Sequence, residues 1–328
     1  MVRHGLAKLV VFGLCAAWVF SGTCLAAQAG KSPVKVFILV GQSNMQGRGS
    51  VEHLRQLVSD PATKDKYAHL VDENGQWVVR DDVWIWFFDR MGGLTVGYGA
   101  PADKRFGPEL EFGHVVGDAL ENQVLLLKIA WGGKSLAIDF RPPSSGKIPY
   151  ELSKKLQEKI DSGQVVVGRY YHEVIKYVRE VLGNLKEYFP DYDGGGYEIA
   201  GFVWFQGWND RINQKFNDEY EKNLANLIRD IRRDLGVKDL PFVIGETGQG
   251  GVNVKHPRAI SLMRAQAAVA QYDEFKQTVR FVETKCYYKE NPRYDGGYHF
   301  SGNAETFFDI GHAMGKAMLE LLGLAPKQ

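Results

Sequence analysis

Four short segments of this chain carry side chains able to do chemistry, and each one closes an apolar run or opens a helix. The first, Gly41-Gln42-Ser43-Asn44-Met45-Gln46-Gly47, places a serine two residues after a glycine. A serine on such a tight turn can aim its own N–H and its hydroxyl the same way, which serves both attack on an acyl carbon and stabilisation of the oxyanion. A plain helix cap uses the same residue type. The second, Ala130-Trp131-Gly132-Gly133-Lys134-Ser135, has paired glycines that let the backbone approach a ligand and leave an N–H free for it. A glycine turn with no ligand fits that segment equally. The third, Trp204-Phe205-Gln206-Gly207-Trp208-Asn209-Asp210, gathers an amide, a second amide and a carboxylate. A side-chain amide there can donate to an oxyanion, although Asn and Asp also close ordinary turns. The fourth, Tyr294-Asp295-Gly296-Gly297-Tyr298-His299-Phe300-Ser301-Gly302, contains a histidine just before the last helical stretch. A lone histidine is more often structural, yet its near-neutral pKa makes it the natural base for a serine. It then needs an acceptor to hold the ring.

Together, and in this order, the four segments resemble the SGNH hydrolase superfamily. Within it they are similar to the sialate O-acetylesterase and acetylxylan esterase-like group. Gly41-Gln42-Ser43-Asn44-Met45 resembles the first block of that group and Gly132-Gly133 the second. Phe205-Gln206-Gly207 resembles the third block, and His299-Phe300 resembles the histidine that closes the domain. The likeness runs from near Ser32 to the final helix. It implies a flavodoxin-like three-layer α/β/α sandwich, no metal and no organic cofactor. It also implies Ser43 as nucleophile, His299 as base, and Ser43, Gly132 or Gly133, and Gln206 as oxyanion donors. Two positions depart from the group. The Asp commonly found three residues before the histidine is Gly296 here, with Asp295 one residue further back. The Glu that often follows Gln-Gly is Trp208. Asp295 is therefore expected to orient His299, with Asp210 and Glu290 in reserve. Asn209, Trp208 and Asn44 are further candidates for substrate contact.

These residues need a scaffold that brings strand ends together. Val34–Val40, Val83–Phe88, Val124–Ala130, Ile199–Phe205 and Phe242–Gly245 are nearly continuous apolar runs, with Val279–Glu283 as a sixth. Continuous runs suit a parallel sheet covered on both faces. Between them lie helical patterns over Pro108–Leu120, Arg169–Phe189, Asn217–Leu235, Pro257–Tyr272 and Asn303–Leu322. Strands alternating with helices imply a doubly wound α/β sheet, which binds ligands at the carboxyl ends of its strands. Residues 30–328 are expected to form a single domain with surface insertions near 137–168 and 190–197.

Composition narrows the remaining choices. The formal net charge of +1, with charged residues at 24 %, gives no basic face for nucleic acid. Arg3, His4 and Lys8 precede the apolar run Leu9–Phe20, and Ala27-Gln28-Ala29 follows, so residues 1–29 read as a secretory signal peptide. An exported protein, periplasmic or extracellular, is expected, with no transmembrane segment in the mature chain. Cys15 and Cys24 fall in that leader and leave only Cys286, so no internal disulfide is expected and Cys286 reads as a small buried residue. A P-loop is excluded because its first glycine would fall at Lys128, and a zinc-protease motif because its second histidine would fall at Lys176. The reading that follows is a carbohydrate O-acetylesterase working through a serine acyl-enzyme on acetylated carbohydrate. Its rivals are a carbohydrate-binding protein with the same fold and little turnover, and an SGNH lipase or thioesterase.

Overall fold

Strand β1 (Val34–Gly41) is apolar at all but one of its first seven positions and is buried along nearly its whole length. Only the centre of a sheet covered on both faces accommodates such a segment. Its side chains alternate. Val36, Ile38 and Val40 enter one core, whereas Phe37 and Leu39 enter the other.

The computed structural model describes Met1 and residues 32–289, 292–296 and 298–324. Around β1 the sheet contains β2 (Arg80–Phe87), β3 (Arg90–Leu94), β4 (Val124–Ala130), β5 (Tyr197–Phe205), β6 (Phe242–Gly245) and β7 (Val279–Val282). Their spatial order is β3-β2-β4-β1-β5-β6-β7. All neighbours pair in parallel except β3, which returns antiparallel along β2 at the edge. The apolar runs of the sequence are the parallel strands. The run Arg90-Met91-Gly92-Gly93-Leu94 escaped sequence reading because two glycines and an arginine carry little strand propensity.

Helices cover both faces. Helices α1 (Val51–Ser59), α2 (Glu109–Ala119) and α6 (Ala304–Leu321) pack on the Phe37 side. Helices α3 (Arg169–Gly183), α4 (Tyr220–Leu235) and α5 (Pro257–Val269) pack on the Val36 side. This is the expected α/β/α sandwich. The pattern read as one helix from Arg169 to Phe189 breaks at Asn184, whose φ of −130° leaves the helical region. Asn303 caps α6 by accepting from Thr306 N–H at 3.0 Å, as its residue type suggests.

The stretch read as a surface insertion near 137–168 is only partly at the surface. Ala137, Ile138, Phe140 and Arg141 are buried, and Lys154–Asp161 forms a short helix outside them. Cys286 is exposed rather than buried. Among the described residues no helix is long and apolar enough to cross a membrane. The leader read at residues 1–29 lies outside the described residues apart from Met1, and Glu290 lies outside them too.

Candidate active site

The carboxyl end of β1 runs straight into the first segment. Gly41 pairs with Ala130 on β4 and Phe205 on β5, so the first three segments leave adjacent strands at one level. A Cβ at Gly41 would lie 2.1 Å from the Phe205 carbonyl oxygen, so only glycine permits this register. The chain then turns into the short helix Ser43–Gln46, which Gly47 ends with a φ of +93°. Ser43 is 7 % exposed at its start.

Gln42 couples this turn to the third segment. Its Oε1 accepts from Gly207 N–H at 3.1 Å and from Asn209 N–H at 3.4 Å. The glycine pair arrives beside the serine, since a Cβ at Gly132 would lie 3.8 Å from Ser43 Cβ and 2.9 Å from Gln46 Oε1. Among the described residues nothing accepts from the backbone N–H of Ser43 or of Gly132. Gly133 adopts a φ of +71°, and its carbonyl accepts from Asn209 Nδ2 at 2.5 Å. Beside the serine a narrow slit is lined by Asn44, Gly207, Trp208, Thr247 and Gln249. Asn44 Oδ1 is buried there without a hydrogen-bond partner among the described residues.

Gln206 does not lie free for an oxyanion. Its Nε2 donates to the Lys134 carbonyl at 2.9 Å and to Asp210 Oδ2 at 2.6 Å, which uses both amide hydrogens. Its Oε1 lies 3.0 Å from the Tyr220 hydroxyl, and Gln266 Nε2 donates to its backbone carbonyl at 2.8 Å. In this arrangement Gln206 braces the second segment against the third.

Asp210 is the other half of that brace and is not placed against His299. Wholly buried, it accepts from Leu136 N–H and Ala137 N–H, each at 2.8 Å, as well as from Gln206. Burial pushes its carboxyl up to about 7, with these N–H donors pulling the other way. Removing the acceptor strands three donors. Each buried unpaired donor costs about 1–3 kcal/mol, so Asp210→Ala is expected to lose about 3 kcal/mol or more of stability. A urea melt checks this, and an unchanged midpoint would show that the brace is dispensable.

The fourth segment is held over the end of β5. His299, Phe300 and Ser301 all have positive φ, at 48°, 52° and 54°. Left-handed backbone disfavours such residues, and packing of Phe300 offsets it. Phe300 is fully buried, stacked on Phe205 with centroids 6.3 Å apart and edge-on to Phe307 at 5.6 Å. Arg105 clips this loop to the serine turn by donating to the carbonyls of Tyr294 and Arg48. Asp295, in the short helix Pro292–Asp295, places Oδ2 2.6 Å from His299 Nδ1. The histidine thus has the acceptor it requires, and its Nε2 remains free among the described residues. No hydrogen bond joins Ser43 Oγ to His299 there.

Sequence reading missed the coupling role of Gln42, the Arg105 clip and the braces under the turn. Only their residue types, polar side chains beside glycines or within an apolar strand, hinted at them. Among the described residues no group of three His, Cys, Asp or Glu side chains is placed to hold a metal ion.

Comparison with known proteins identifies the family. Residues 33–320 match the family described as carbohydrate esterase, sialic acid-specific acetylesterase. No curated protein matches the chain. Among solved structures, a protein from Arabidopsis thaliana is similar with a TM-score of 0.55 at 20 % identity, covering 88 % of this chain and 98 % of that one. The structure named NanS is similar with a TM-score of 0.51 at 12 % identity, covering 89 % of this chain and 99 % of its own. At such identities these two likenesses concern the fold, whereas the family match spans the whole sheet and all four segments. The chain therefore belongs to the carbohydrate esterase, sialic acid-specific acetylesterase family.

Proposed function

We propose that the protein is a serine O-acetylesterase acting on acetylated carbohydrate. The observation that carries this reading is the Asp295–His299 contact at 2.6 Å, on a loop packed over the strand end beside Ser43. In the proposed reaction His299 Nε2 takes the proton from Ser43 Oγ as that oxygen attacks the acetyl carbonyl. The N–H groups of Ser43 and Gly132 stabilise the oxyanion, with Gly133 and Asn209 beside them. The tetrahedral adduct collapses, the sugar oxygen leaves with the proton from His299, and the acetyl group stays on Ser43. Water, deprotonated by His299, then attacks the acetyl-enzyme, and His299 returns that proton to Ser43 Oγ as acetate leaves. The charge of Asp295 stabilises the imidazolium formed at each attack.

The slit itself, at about 10 Å³, admits no sugar ring, but its lining carries groups that can contact one. Asn44, Thr247 and Gln249 offer hydrogen bonds to hydroxyl groups, and the half-buried Trp208 offers a ring face for C–H contacts. Arg211 already covers one face of that ring, 3.7 Å from its centroid, which leaves only the opposite face for a ligand. The rival reading, a carbohydrate-binding protein with little turnover, draws support from Gln206, whose amide is spent on the brace. An acetate-release assay on acetylated xylan, pectin, algal polysaccharides and O-acetylated sialic acid separates the two. The esterase reading expects acetate from at least one of them. Binding without acetate release, and without turnover of an aryl acetate, would establish the rival. Mass spectrometry of natively expressed protein tests export, which expects no peptide from the first 25 residues; intact leader would oppose it.

A further inference from the structure

We infer that Lys128 and Glu109 form a buried charged post whose role is to position the serine turn. This rests on the esterase reading above. Lys128 stands in the middle of β4, between Leu127 and Ile129, and its side chain is fully buried on the Phe37 side of the sheet. A lysine there requires an explanation, because an ammonium in an apolar layer loses its hydration. Two of its protons have carbonyl acceptors, and Glu109 pairs with it by charge, with Oε2 close but not aligned for a hydrogen bond. Nζ donates to the Gln46 carbonyl at 2.8 Å and to the Tyr98 carbonyl at 2.7 Å, and it lies 2.7 Å from Glu109 Oε2. Glu109 is equally buried at the first turn of α2, and its Oε1 accepts from Gly107 N–H at 2.8 Å.

Gln46 makes this pair relevant to chemistry. It ends the short helix that Ser43 begins, and Gln46 N–H donates back to the Gln42 carbonyl at 2.9 Å. The helix therefore has its nucleophile at one end and the ammonium on the carbonyl of its other end. The same Gln46 extends its Oε1 toward Gly132, which lies beside Ser43. Backbone has been cleared to admit the post. A Cβ at Gly47 would lie 2.4 Å from Gly107 N, and one at Gly107 would lie 2.4 Å from Glu109 Oε2. Two touching glycines thus let the carboxylate pass beneath the turn.

Stability alone does not account for the pair. A buried ion pair is often replaced by uncharged residues of similar size with little loss, whereas removal of one partner strands the other charge. The ammonium does what the apolar neighbours in its strand cannot: one group donates to two carbonyls from separate loops. Lys128 and Glu109 are positioning residues, since neither reaches the reacting atoms.

The test uses the double variant Lys128→Met with Glu109→Gln. It leaves no unpaired charge and keeps an acceptor for Gly107 N–H. Turnover of an aryl acetate is expected to fall about tenfold to a hundredfold in kcat with KM little changed, since misplacement by about an ångström suffices for such losses. Labelling of Ser43 by a fluorophosphonate should slow by a similar factor. Amide hydrogen exchange should quicken at residues 43–47 and stay unchanged along β1. A folded double variant with wild-type kcat would overturn the inference, whatever its exchange. Should the wild-type protein hydrolyse no ester and resist the fluorophosphonate, the esterase reading fails by itself. Exchange then decides whether the pair holds the turn: unchanged exchange at 43–47 would overturn that too. If the double variant does not fold, Lys128→Arg is assayed instead. It keeps the charge but displaces the turn, so reduced kcat at unchanged KM is expected and wild-type kcat would refute the inference.

Discussion

Replacing Ser43 by Ala is expected to lower hydrolysis of an aryl acetate by about 10⁴- to 10⁶-fold while leaving the protein folded. The size follows from what one oxygen does. Without Oγ there is no acyl acceptor, and the N–H groups of Ser43 and Gly132 are left with only a weak polarising effect on the carbonyl. The fold should be insensitive, because no hydrogen bond of the Ser43 hydroxyl holds the turn among the described residues. Register is set instead by Gly41 against Phe205, and the turn by Gln42, whose Oε1 ties Gly207 and Asn209. Steady-state kinetics beside a thermal melt checks both halves. Equal rates in variant and wild type, with equal melting, would remove Ser43 from the chemistry.

The second large effect is expected at Asp295. Asp295→Asn keeps the size of the side chain but removes its charge, and an amide can hold the imidazole in the wrong tautomer. A loss of up to about ten-thousandfold in kcat follows where the carboxylate is the orienting group. KM should change little, because Asp295 meets His299 Nδ1 and faces no part of the slit lining. Asp210→Asn is the informative companion. Its carboxylate accepts from Leu136, Ala137 and Gln206, so an amide there places one N–H group against donors. That change is expected to act through stability and loop placement, with a shallower effect on kcat at temperatures where the variant is folded. A steep loss for folded Asp210→Asn with Asp295→Asn near normal would reverse the assignment of the two acids.

The central part of this fold was legible because its signal is dense. In β1, β4 and β5 apolar residues run almost without interruption, and burial on both faces leaves few alternatives. The glycine before Ser43 was legible as a tight turn, whereas its close approach to Phe205 depends on the register of a distant strand. Other features were hidden by their dependence on partners distant in sequence. Asp295 could be offered as the acid from the two glycines after it, but its contact with His299 depends on Phe300 packing against Phe205 and Phe307. Gln206 reads from sequence as an oxyanion donor, and only Lys134 and Asp210 divert its amide. Lys128 served in the sequence only to exclude a P-loop. Its apolar strand neighbours mark it as unusual, yet the Gln46 and Tyr98 carbonyls that explain it come from other loops. Cys286 was read as buried from its residue type, and a short turn near the end of β7 leaves it exposed.

The protein is mixed with an excess of an aryl acetate, quenched in acid after a short interval, digested and examined by tandem mass spectrometry. The peptide containing Gly41-Gln42-Ser43-Asn44-Met45 is expected to carry a single acetyl group, assigned by fragmentation to Ser43. The adduct should be absent from His299→Ala treated identically, because the base that generates it is gone. Turnover of the ester with no acetyl group on that peptide at any quench time, or with the group on another side chain, would contradict the account.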